Sequence, residues 1–473
     1  MNSIRVWGGG IYEQDIFYEL CDSLGLMVWQ DFMFANTMYP TEPEFVDNMM
    51  EEVKENVMRL HHHPSIIHWC GNNEIDVAWH NWGWPRKYGI PKNYQKKLKN
   101  QYDVTFKEKI PTLVSSLIPN VNYSHTSPLS NWGTDENYNH HSMHYWGVFH
   151  GEDPFEKYAE NVGRFNSEYG FQSFPNISLI NEYFKPEKFD LKDPLLSHRQ
   201  KSYKGNRLIY KHIDHYYPEP TTMTELSYIS QITQAKGISY AIQSHRINKE
   251  QCMGTLFWQL NDCWPAISWS SIDSDGTWRA LQYASREAYA DAAVYVDSTN
   301  YKMDIVVLND RPQPLSGQCR LSFYNEGEMI FSDRISVTTD PYSILRHDLF
   351  QYHAKLPHVE YLHIELLDEN GNLTYDKTHV FVQPKRLQLQ KADIDKTWSK
   401  TEDGLMLTLE SDTFVKSLYM YSEEKGHLSE NFVDLYPGEK LIVYIRTDAD
   451  LDAYSKGLKH LSLNDILGEN HDN

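Results

Sequence analysis

The sequence predicts an α/β barrel that is followed by two all-β sandwich domains. From residue 1 to about residue 295, short apolar segments alternate with amphipathic helical segments, which is the pattern of parallel strands joined by crossover helices. GGG at residues 8–10 follows a strand but lacks GxGxxG spacing, so a (β/α)8 barrel is favoured over a doubly wound sheet. After Val296 the pattern changes to short strands separated by turn residues.

Strand and helix periodicities identify the elements of the barrel in turn. The first helix, Glu13–Leu24, carries Ile16, Leu20 and Leu24 four residues apart, and Gly25 suits the position just after its end. The predicted strands are Ile4–Trp7, Leu26–Phe32, Ser65–Cys70, Val121–His125, Met143–Phe149, Gly163–Glu168 and Met253–Gln259. The other predicted helices are Glu44–Leu60, Tyr94–Leu117 with an interruption at Pro111, Leu226–Arg246 and Arg279–Ala292.

The C-terminal part is predicted to form two β-sandwiches, because its strands are short and are bounded by pairs such as Asn370-Gly371. The expected strands of the first are Tyr301–Leu308, Arg320–Phe323, Tyr361–Leu366 and Thr378–Val382. Those of the second are Leu405–Leu409, Val415–Tyr421 and Leu441–Ile445. The predicted domains are therefore residues 1–296, 297–383 and 384–473.

Composition narrows the classes of function. In 473 residues, 44 Lys and Arg stand against 65 Asp and Glu, and the net charge of −21 disfavours nucleic acid and anionic membranes as partners. Five scattered cysteines without CxxC spacing favour a reducing compartment over a disulfide framework or a zinc site. Met1–Gly10 shows no leader pattern. The cysteines indicate a cytoplasmic location of bacterial type, which is provisional because a missing N-terminal segment could carry a signal peptide. An aromatic content of 14% favours, weakly, a sugar-binding cleft over ordinary core packing.

Candidate catalytic groups lie where the predicted strands end, because barrel enzymes place their chemistry at the carboxyl ends of strands. Glu74 follows the strand in HPSIIHWCGNNE, and Glu168 ends the strand in RFNSE. Two carboxylates that face one cleft are the equipment of glycoside hydrolysis, in which one protonates the leaving oxygen and the other attacks carbon or activates water. The alternative, two solvated surface glutamates, is weakened by their apolar and aromatic surroundings but stays open on composition and position alone.

These residues lie in long motifs that carry a family resemblance. RVWGGGIYE, VWQDFMFA, HPSIIHWCGNNE, RFNSEYGFQSFP and LFWQLNDCWPAISWSSID, in this order, resemble the catalytic barrel of the family-two glycoside hydrolases, specifically the β-mannosidases. The match covers nearly all of residues 2–290, and NFVDLYPGE at residues 431–439 resembles the last sandwich of the same enzymes. The resemblance implies a retaining exo-hydrolase that releases β-D-mannose from the non-reducing ends of β-mannoside oligosaccharides or glycoconjugates. It implies no metal and no cofactor.

The resemblance also implies roles for individual residues. Glu74 would be the general acid/base and Glu168 the nucleophile, with their carboxyls about 5–5.5 Å apart. Asn73 would bond the sugar 2-hydroxyl, which is axial in mannose, and Trp258 would form the platform under the sugar. The remaining expected substrate contacts are Trp7, Asp31, Trp82, Trp132 and Tyr145.

In one respect the sequence departs from the family pattern. The chain begins at a segment that resembles the second barrel strand, so seven strand ends are counted up to Gln259 instead of eight. The expected fold is therefore a (β/α)8 TIM-type barrel lacking its first strand, followed by two immunoglobulin-like sandwich domains, and such a truncated form could be inactive alone. Two alternatives stay open: another family-two exo-glycosidase, such as a glucosaminidase or galactosidase, and a catalytically dead carbohydrate-binding fragment.

Overall fold

The computed structural model describes residues 1–132, 140–185, 189–190, 193–299, 302–353, 356 and 358–468. They form two compact units. The first unit comprises Met1–Gly147, Glu160–Tyr169 and Asn248–Phe257, and the second comprises Val148–Ala159, Gly170–Ile247 and Trp258–Asn473. Within the described ranges, no helix is both long and apolar enough to cross a membrane.

The first unit contains a ladder of parallel strands. Its strands are β1 (Ser3–Val6), β2 (Met27–Asp31), β3 (Ile66–Cys70), β4 (Tyr123–Ser124), β5 (Met143–His144) and β6 (Asn166–Glu168). Parallel pairings join β1 to β2, β2 to β3, β3 to β4, and β5 to β6. Parallel bridges at Ser130–Met143 and Asn166–Thr255 continue the order on to a seventh segment. All carboxyl ends therefore lie along one edge, as a barrel requires.

Helices of the first unit cross between these strands. They are α1 (Asp15–Leu24), α2 (Pro43–Leu60), α3 (Ile75–His80), α4 (Trp84–Lys87), α5 (Lys92–Tyr102) and α6 (Ile110–Leu117), with a π-helical turn at Asp103–Lys109. The face of α2 that carries Val46, Met49, Val53 and Val57 is buried, which secures the helix to the sheet. Phe45, the apolar residue just before Val46, is 38% exposed.

The buried face of α1 differs from the expectation. Ile16, Leu20 and Leu24 are half or more exposed, while Tyr18 and Cys21 form the buried stripe. The reason is that the Tyr18 hydroxyl donates a 2.6 Å hydrogen bond to the fully buried Gln30 amide, so the aromatic ring and the polar pair fix the orientation of the helix. The helix ends as predicted, with Gly25 in the left-handed conformation at φ 68°.

The expected interruption at Pro111 is absorbed by the helix. Helical backbone continues from Lys92 to Leu117, because the π-helical turn precedes the proline and Pro111 then occupies the second position of α6. The wider π-helical turn shifts the backbone hydrogen bonds just before the proline, so the N–H that Pro111 lacks does not break the helix. The predicted strand Met253–Gln259 is also reduced, to a single described bridge at Thr255.

The second unit contains helices and both sandwiches. Its helical bounds are α7 (Lys157–Glu160, whose last residue lies in the first unit), α8 (Ile177–Leu179), α9 (Pro194–Arg199), α10 (Gly205–Tyr216), α11 (Met223–Ile247) and α12 (Ala280–Ala288), with a π-helical turn at Ile180–Phe184. The predicted helix Arg279–Ala292 is too long. Arg246 donates hydrogen bonds to the carbonyls of Ala288 and Ala290 at 2.5 and 2.8 Å, which satisfies the end of α12 and stops it there.

The first sandwich begins at Ala292 and has two antiparallel sheets. Its strands are β7 (Ala292–Asp297), β8 (Asp304–Asn309), β9 (Leu315–Asn325), β10 (Glu328–Thr339), β11 (Ser343–Asp348), β12 (Tyr361–Asp368) and β13 (Leu373–Val380), with a short helix α13 (Phe350–His353). The sheet orders are β10-β9-β12-β13 and β11-β8-β7. The sequence prediction missed β7, β10 and β11. In β10 the apolar run Met329–Phe331 is exposed and charged residues follow it, and β11 has no buried residue, so neither strand shows the alternation of a half-buried strand over its full length.

The second sandwich follows a short 3₁₀ turn at Pro384–Arg386. Its elements are β14 (Asp395–Thr401), β15 (Gly404–Glu410), β16 (Val415–Tyr421), β17 (His427–Leu428), β18 (Val433–Leu435), β19 (Leu441–Arg446), α14 (Leu451–Gly457), β20 (Lys459–Leu461) and α15 (Leu463–Gly468). The sheet orders are β14-β15-β19-β17 and β18-β16-β20. Inward leucines of β15 alternate with half-buried residues, as a sandwich face requires.

Within the second unit, helices α11 and α12 are bonded directly to the second sandwich. The buried Tyr228 hydroxyl donates to the Ser417 carbonyl at 2.9 Å, and the Tyr283 hydroxyl donates to the Leu428 carbonyl at 3.0 Å. Arg286 forms an ion pair with Glu430 at 2.5 Å. The same unit holds a fully buried guanidinium, Arg279, between the carboxylates of Asp262 and Asp273.

Arg279→Met is expected to destabilise the second unit. The Arg279 side chain is fully buried and lies 2.6 Å from Asp273 and 2.8 Å from Asp262, so its loss leaves two buried carboxylates without their cation. Removing one partner of a buried ion pair costs about 3–5 kcal/mol of unfolding free energy, measured by denaturant titration. As a matched control, Arg286→Met removes a half-exposed pair and should cost under about 1 kcal/mol. Equal losses for the two variants would contradict this account.

Candidate active site

The carboxyl-end edge of the first unit gathers five polar side chains from five strand segments. Arg5 lies on β1, Asp31 ends β2, Glu74 follows β3, His144 ends β5 and Glu168 ends β6. All five are buried or nearly so, with side-chain exposures of 10% or less. The parallel register brings these residues together although up to 163 positions separate them in the chain.

The segment after β3 is held in a tight turn that aims Glu74 into this cluster. The amide of Asn72 fixes the turn, since its oxygen accepts from Thr126 at 2.7 Å and its nitrogen donates to the His125 carbonyl at 2.7 Å. Backbone N–H groups of Asn73 and Glu74 then bond neighbouring segments. Glu74 itself has φ 62°, a left-handed conformation that costs energy for a non-glycine residue and is common at functional sites.

Arg5 is the electrostatic centre of the cluster. Its guanidinium bonds both oxygens of Asp31, at 2.8 and 3.3 Å, and lies 2.6 Å from Glu168 Oε1. It also donates to Asn73 Oδ1 at 2.8 Å. Burial opposes its charge, but the two carboxylates outweigh burial and raise the pKa of the guanidinium, so Arg5 stays cationic.

Asp31 holds Arg5 in place. Besides Arg5, its oxygens accept from Trp29 Nε1 at 2.8 Å and from the Gly8 N–H at 3.1 Å, and the residue is fully buried. Four donors on one carboxylate leave it no exposed oxygen. The structure therefore supports Asp31 as the anchor of Arg5, and its expected contact with a sugar hydroxyl stays a prediction.

His144 lies between the two glutamates. Its Nδ1 is 2.9 Å from Glu74 Oε1 and 3.2 Å from Glu168 Oε2. Burial lowers the pKa of His144 to about 3, so the imidazole is neutral near neutral pH. Its Nε2 lies 3.4 Å from Arg5, which can only donate, so the proton belongs on Nδ1. Ser127 Oγ, 3.1 Å from Nε2, completes this arrangement.

The two glutamates have different surroundings. Glu74 Oε2 accepts from Asn36 Nδ2 at 3.0 Å, and burial raises the pKa of Glu74 to about 6. Burial also raises the pKa of Glu168, but Arg5 and His144 act in the opposite direction on it. Glu168 thus has the cation as its direct partner and Glu74 has an amide, which favours the proton on Glu74 and the charge on Glu168.

The amide of Asn36 connects the polar groups on this side of the cluster. Its oxygen accepts from Asn73 Nδ2 at 3.0 Å while its nitrogen donates to Glu74. Asn73 is therefore fixed between Arg5 and Asn36. Like Glu74, Asn36 has a positive φ of 50°. Both partners of the Asn36–Glu74 hydrogen bond are thus held by strained backbone.

Glu74, His144 and Glu168 each offer one potential ligand atom, and these three atoms lie within 4.8 Å of one another. Such a Glu-His-Glu set could hold a divalent metal ion. However, the Arg5 guanidinium is already 2.6 Å from Glu168 and would repel a second cation there. The electrostatics therefore favour chemistry by the two carboxyl groups themselves.

The expected aromatic contacts are distributed over the two units. Trp132 and Tyr145 pack edge to face in the first unit, with ring centroids 5.9 Å apart, and Tyr145 is buried. Trp7 lies half-exposed just after β1, and Trp82 is 42% exposed. Trp258, the expected sugar platform, is half-buried and belongs to the second unit. Their contacts with substrate stay predictions.

Sequence reasoning did not assign a role to Arg5, Asn36 or His144. A signal for Arg5 was available, because a cation inside the apolar strand IRVW must find buried anions. His144 falls within the predicted strand Met143–Phe149, but nothing in the sequence indicated that it would lie between the glutamates. Asn36 follows β2 in an irregular segment, and no periodicity marks it.

Comparison with protein families identifies the C-terminal part. A mannosidase Ig/CBM-like domain model matches residues 301–386, and an Ig-fold domain model named for mannosidases matches residues 389–466. A solved structure, the β-D-mannosidase of Dictyoglomus thermophilum, superposes with a TM-score of 0.85 at 28% identity, covering 98% of this chain and 56% of that one. An exo-chitosanase of Amycolatopsis orientalis shares the fold alone, at 13% identity and TM-score 0.69. These matches confirm the predicted barrel with immunoglobulin-like sandwiches.

Curated proteins of similar sequence also include β-mannosidases. The β-mannosidase B of Neosartorya fischeri is 30% identical over 94% of this chain and 55% of its own length. The β-mannosidase of Bos taurus is 35% identical over 61% of this chain and 35% of its own length. The chain therefore spans from about a third to about half of the curated relatives that it matches.

Glu74→Gln is expected to change how stability depends on pH. The folded pKa of Glu74, about 6, lies above the ordinary 4.5, so the folded chain holds this proton more tightly than the unfolded chain. That contribution is complete below about pH 4.5 and is lost as pH rises through about 6, a change of about 2 kcal/mol. Denaturant unfolding at about pH 4 and pH 8 should show the variant gaining relative stability at the higher pH. Glu51→Gln, at an exposed site, should follow the unsubstituted chain, and parallel curves for Glu74→Gln would refute the burial argument.

Proposed function

We propose that this chain, a member of the glycoside hydrolase family 2 β-mannosidases, hydrolyses terminal non-reducing β-D-mannose residues in β-mannosides. The observation that carries the proposal is the pair Glu74 and Glu168, buried on either side of His144 with carboxyl oxygens within 4.8 Å. A short separation of this kind supports a retaining mechanism, because an inverting one needs room for water between the carboxyls.

In the first step, Glu168 is the nucleophile. Its carboxylate oxygen bonds to the anomeric carbon as the bond from that carbon to the leaving oxygen breaks, and Glu74 transfers its proton to that oxygen. The product is a mannosyl ester of Glu168 and a free alcohol. Arg5 keeps Glu168 ionised before the attack. Because Arg5 is itself held by Asp31, it also fixes the direction from which the Glu168 carboxylate reaches the anomeric carbon.

In the second step, water completes the hydrolysis. Glu74, now ionised, takes a proton from the water as its oxygen bonds to the anomeric carbon, and the ester bond to Glu168 breaks. Mannose leaves with retained configuration and both glutamates return to their starting states. Neutral His144 donates from Nδ1 toward both carboxyls, which moderates the repulsion between them during the cycle.

Asn73 is proposed to bond the sugar 2-hydroxyl. It precedes Glu74 directly, and its amide is oriented by Arg5 on one side and Asn36 on the other. A fixed amide beside the reacting carbon can distinguish an axial from an equatorial hydroxyl, which is the difference between mannose and glucose. A panel of aryl glycosides tests this, and a preference for equatorial 2-hydroxyl sugars would favour a glucosaminidase or galactosidase instead.

Four further predictions complete the proposal. The domains are placed at residues 1–296, 297–383 and 384–473, with Trp7, Trp82, Trp132, Tyr145 and Trp258 as substrate contacts. The substrates are oligosaccharides or glycoconjugates. A cytoplasmic location is supported by the odd number and scattered positions of the five cysteines, and cell fractionation tests it.

Glu168→Ala is expected to abolish turnover of 4-nitrophenyl β-D-mannoside, with a loss in kcat of about a thousandfold or more, because no covalent intermediate can form. Release of nitrophenol is the measurement, and a thermal melt verifies that the sample is folded. Glu51→Ala, which removes an exposed glutamate of α2, is the control and should leave the rate unchanged. Turnover by Glu168→Ala at the rate of the unsubstituted chain would show that Glu168 is not the nucleophile.

Glu74 is expected to set the alkaline limb of the pH profile. With a pKa of about 6, its proton is lost as pH rises through that value, so kcat/KM should fall there. Glu74→Ala should lose this limb and should slow substrates with poor leaving groups by about 10²–10⁴-fold. Azide should restore part of the rate on an activated substrate by forming the β-mannosyl azide. An unchanged alkaline limb in the variant would assign the limb to another group.

A further inference from the structure

A groove lined by aromatic side chains adjoins the catalytic cluster inside the first unit. It has a volume of about 490 Å³, which is within the usual range for small-molecule sites of about 300–1,000 Å³. The lining of this aromatic groove includes Asn36, Tyr39, Trp84, Tyr88 and Tyr94.

Two chain segments build the aromatic groove. One is the irregular segment after β2, where the Tyr39 hydroxyl accepts from the Ala35 N–H at 3.0 Å and the ring is thereby fixed. The other contains α4 and the start of α5. Trp84 is buried and packs edge to face with Tyr88 at a centroid distance of 6.2 Å, while Tyr88 and Tyr94 are 62% and 42% exposed. The groove thus has a firm aromatic base and solvent-facing rings at its side.

Asn36 connects the aromatic groove with the proposed proton donor. This residue lines the groove and donates a 3.0 Å hydrogen bond to Glu74 Oε2. A general acid must face the glycosidic oxygen, so whatever is attached to that oxygen extends away from the cleaved sugar on the side of the acid. The groove beside Glu74 is therefore in position to receive the leaving group.

We propose that the aromatic groove binds the leaving-group sugar of an oligosaccharide substrate, a neutral hexopyranose, through stacking on Tyr88 and Tyr94. This inference rests on the proposed function and deepens it. Tyrosine rings offer flat apolar faces to the C–H faces of a pyranose, and their hydroxyls stay at the wet edge. Asn36 and Thr37 give the rim amide and hydroxyl groups suited to sugar hydroxyls.

The test compares two substrates that differ only in the leaving group. β-Mannosyl fluoride departs as a single atom and leaves the aromatic groove empty, whereas β-1,4-mannobiose places a sugar there. In Tyr88→Ala and in Tyr94→Ala, the ratio of kcat/KM for mannobiose to kcat/KM for the fluoride should fall about tenfold, the loss of one stacked ring. Tyr444→Ala, which removes an equally exposed tyrosine of β19, should leave the ratio unchanged. An unchanged ratio in both groove variants would overturn the proposal.

A failure of the proposed function gives a different result. If the unsubstituted chain cleaves neither substrate, the hydrolase proposal fails, and binding then tests the groove. Calorimetric titration with mannotriose compares two proteins, Glu168→Gln and Glu168→Gln with Tyr88→Ala. The second should bind mannotriose about tenfold more weakly than the first, and both should bind free mannose with the same affinity. Equal affinity of the two proteins for mannotriose, or no binding of mannotriose, would overturn the groove proposal.

Discussion

The buried charge of Arg5 is the constraint on which the rest of the site depends. A guanidinium without water is tolerable only when anions and acceptors surround it, and Arg5 has Asp31, Glu168 and the Asn73 oxygen. This requirement fixes the ends of three strands relative to β1. It also distributes charge unequally between the two glutamates, because only Glu168 has the cation as its direct partner.

The amides and the imidazole around Arg5 position the proposed proton donor, Glu74. Asn36 and His144 hold Glu74 from two sides, and both are set by backbone or hydrogen bonds outside the reacting groups. The left-handed backbone of Glu74 and Asn36 is a local cost that the parallel ladder supports through the bridges at Asn73. The position of the proton donor therefore depends on several strand ends together. The aromatic groove begins where this network ends, at Asn36.

The sequence predicted the parts of the fold that follow simple periodicity and missed those that depend on distant partners. Glu74 and Glu168 could be placed together because carboxyl ends of parallel strands share one edge. The orientation of α1 could not, since Tyr18 and its bond to Gln30 decide it and a leucine repeat suggested the opposite face. The largely exposed strands β10 and β11 lack a clear alternation of apolar and polar residues over their full length, and Asn36 acts through a contact 38 positions away. Contacts of this kind leave no local pattern in a single sequence.

The hydrogen bonds between α11, α12 and the second sandwich have a consequence for the exchange of domains during evolution. A domain boundary drawn near Pro384 separates the two sandwiches, but Tyr228, Tyr283 and Arg286 bond α11 and α12 to residues beyond it. Modules that share buried hydroxyl bonds lose them when either is exchanged, and each orphaned donor destabilises its new host. These helices and the second sandwich are therefore a single unit of inheritance, which recombination would transfer whole or not at all.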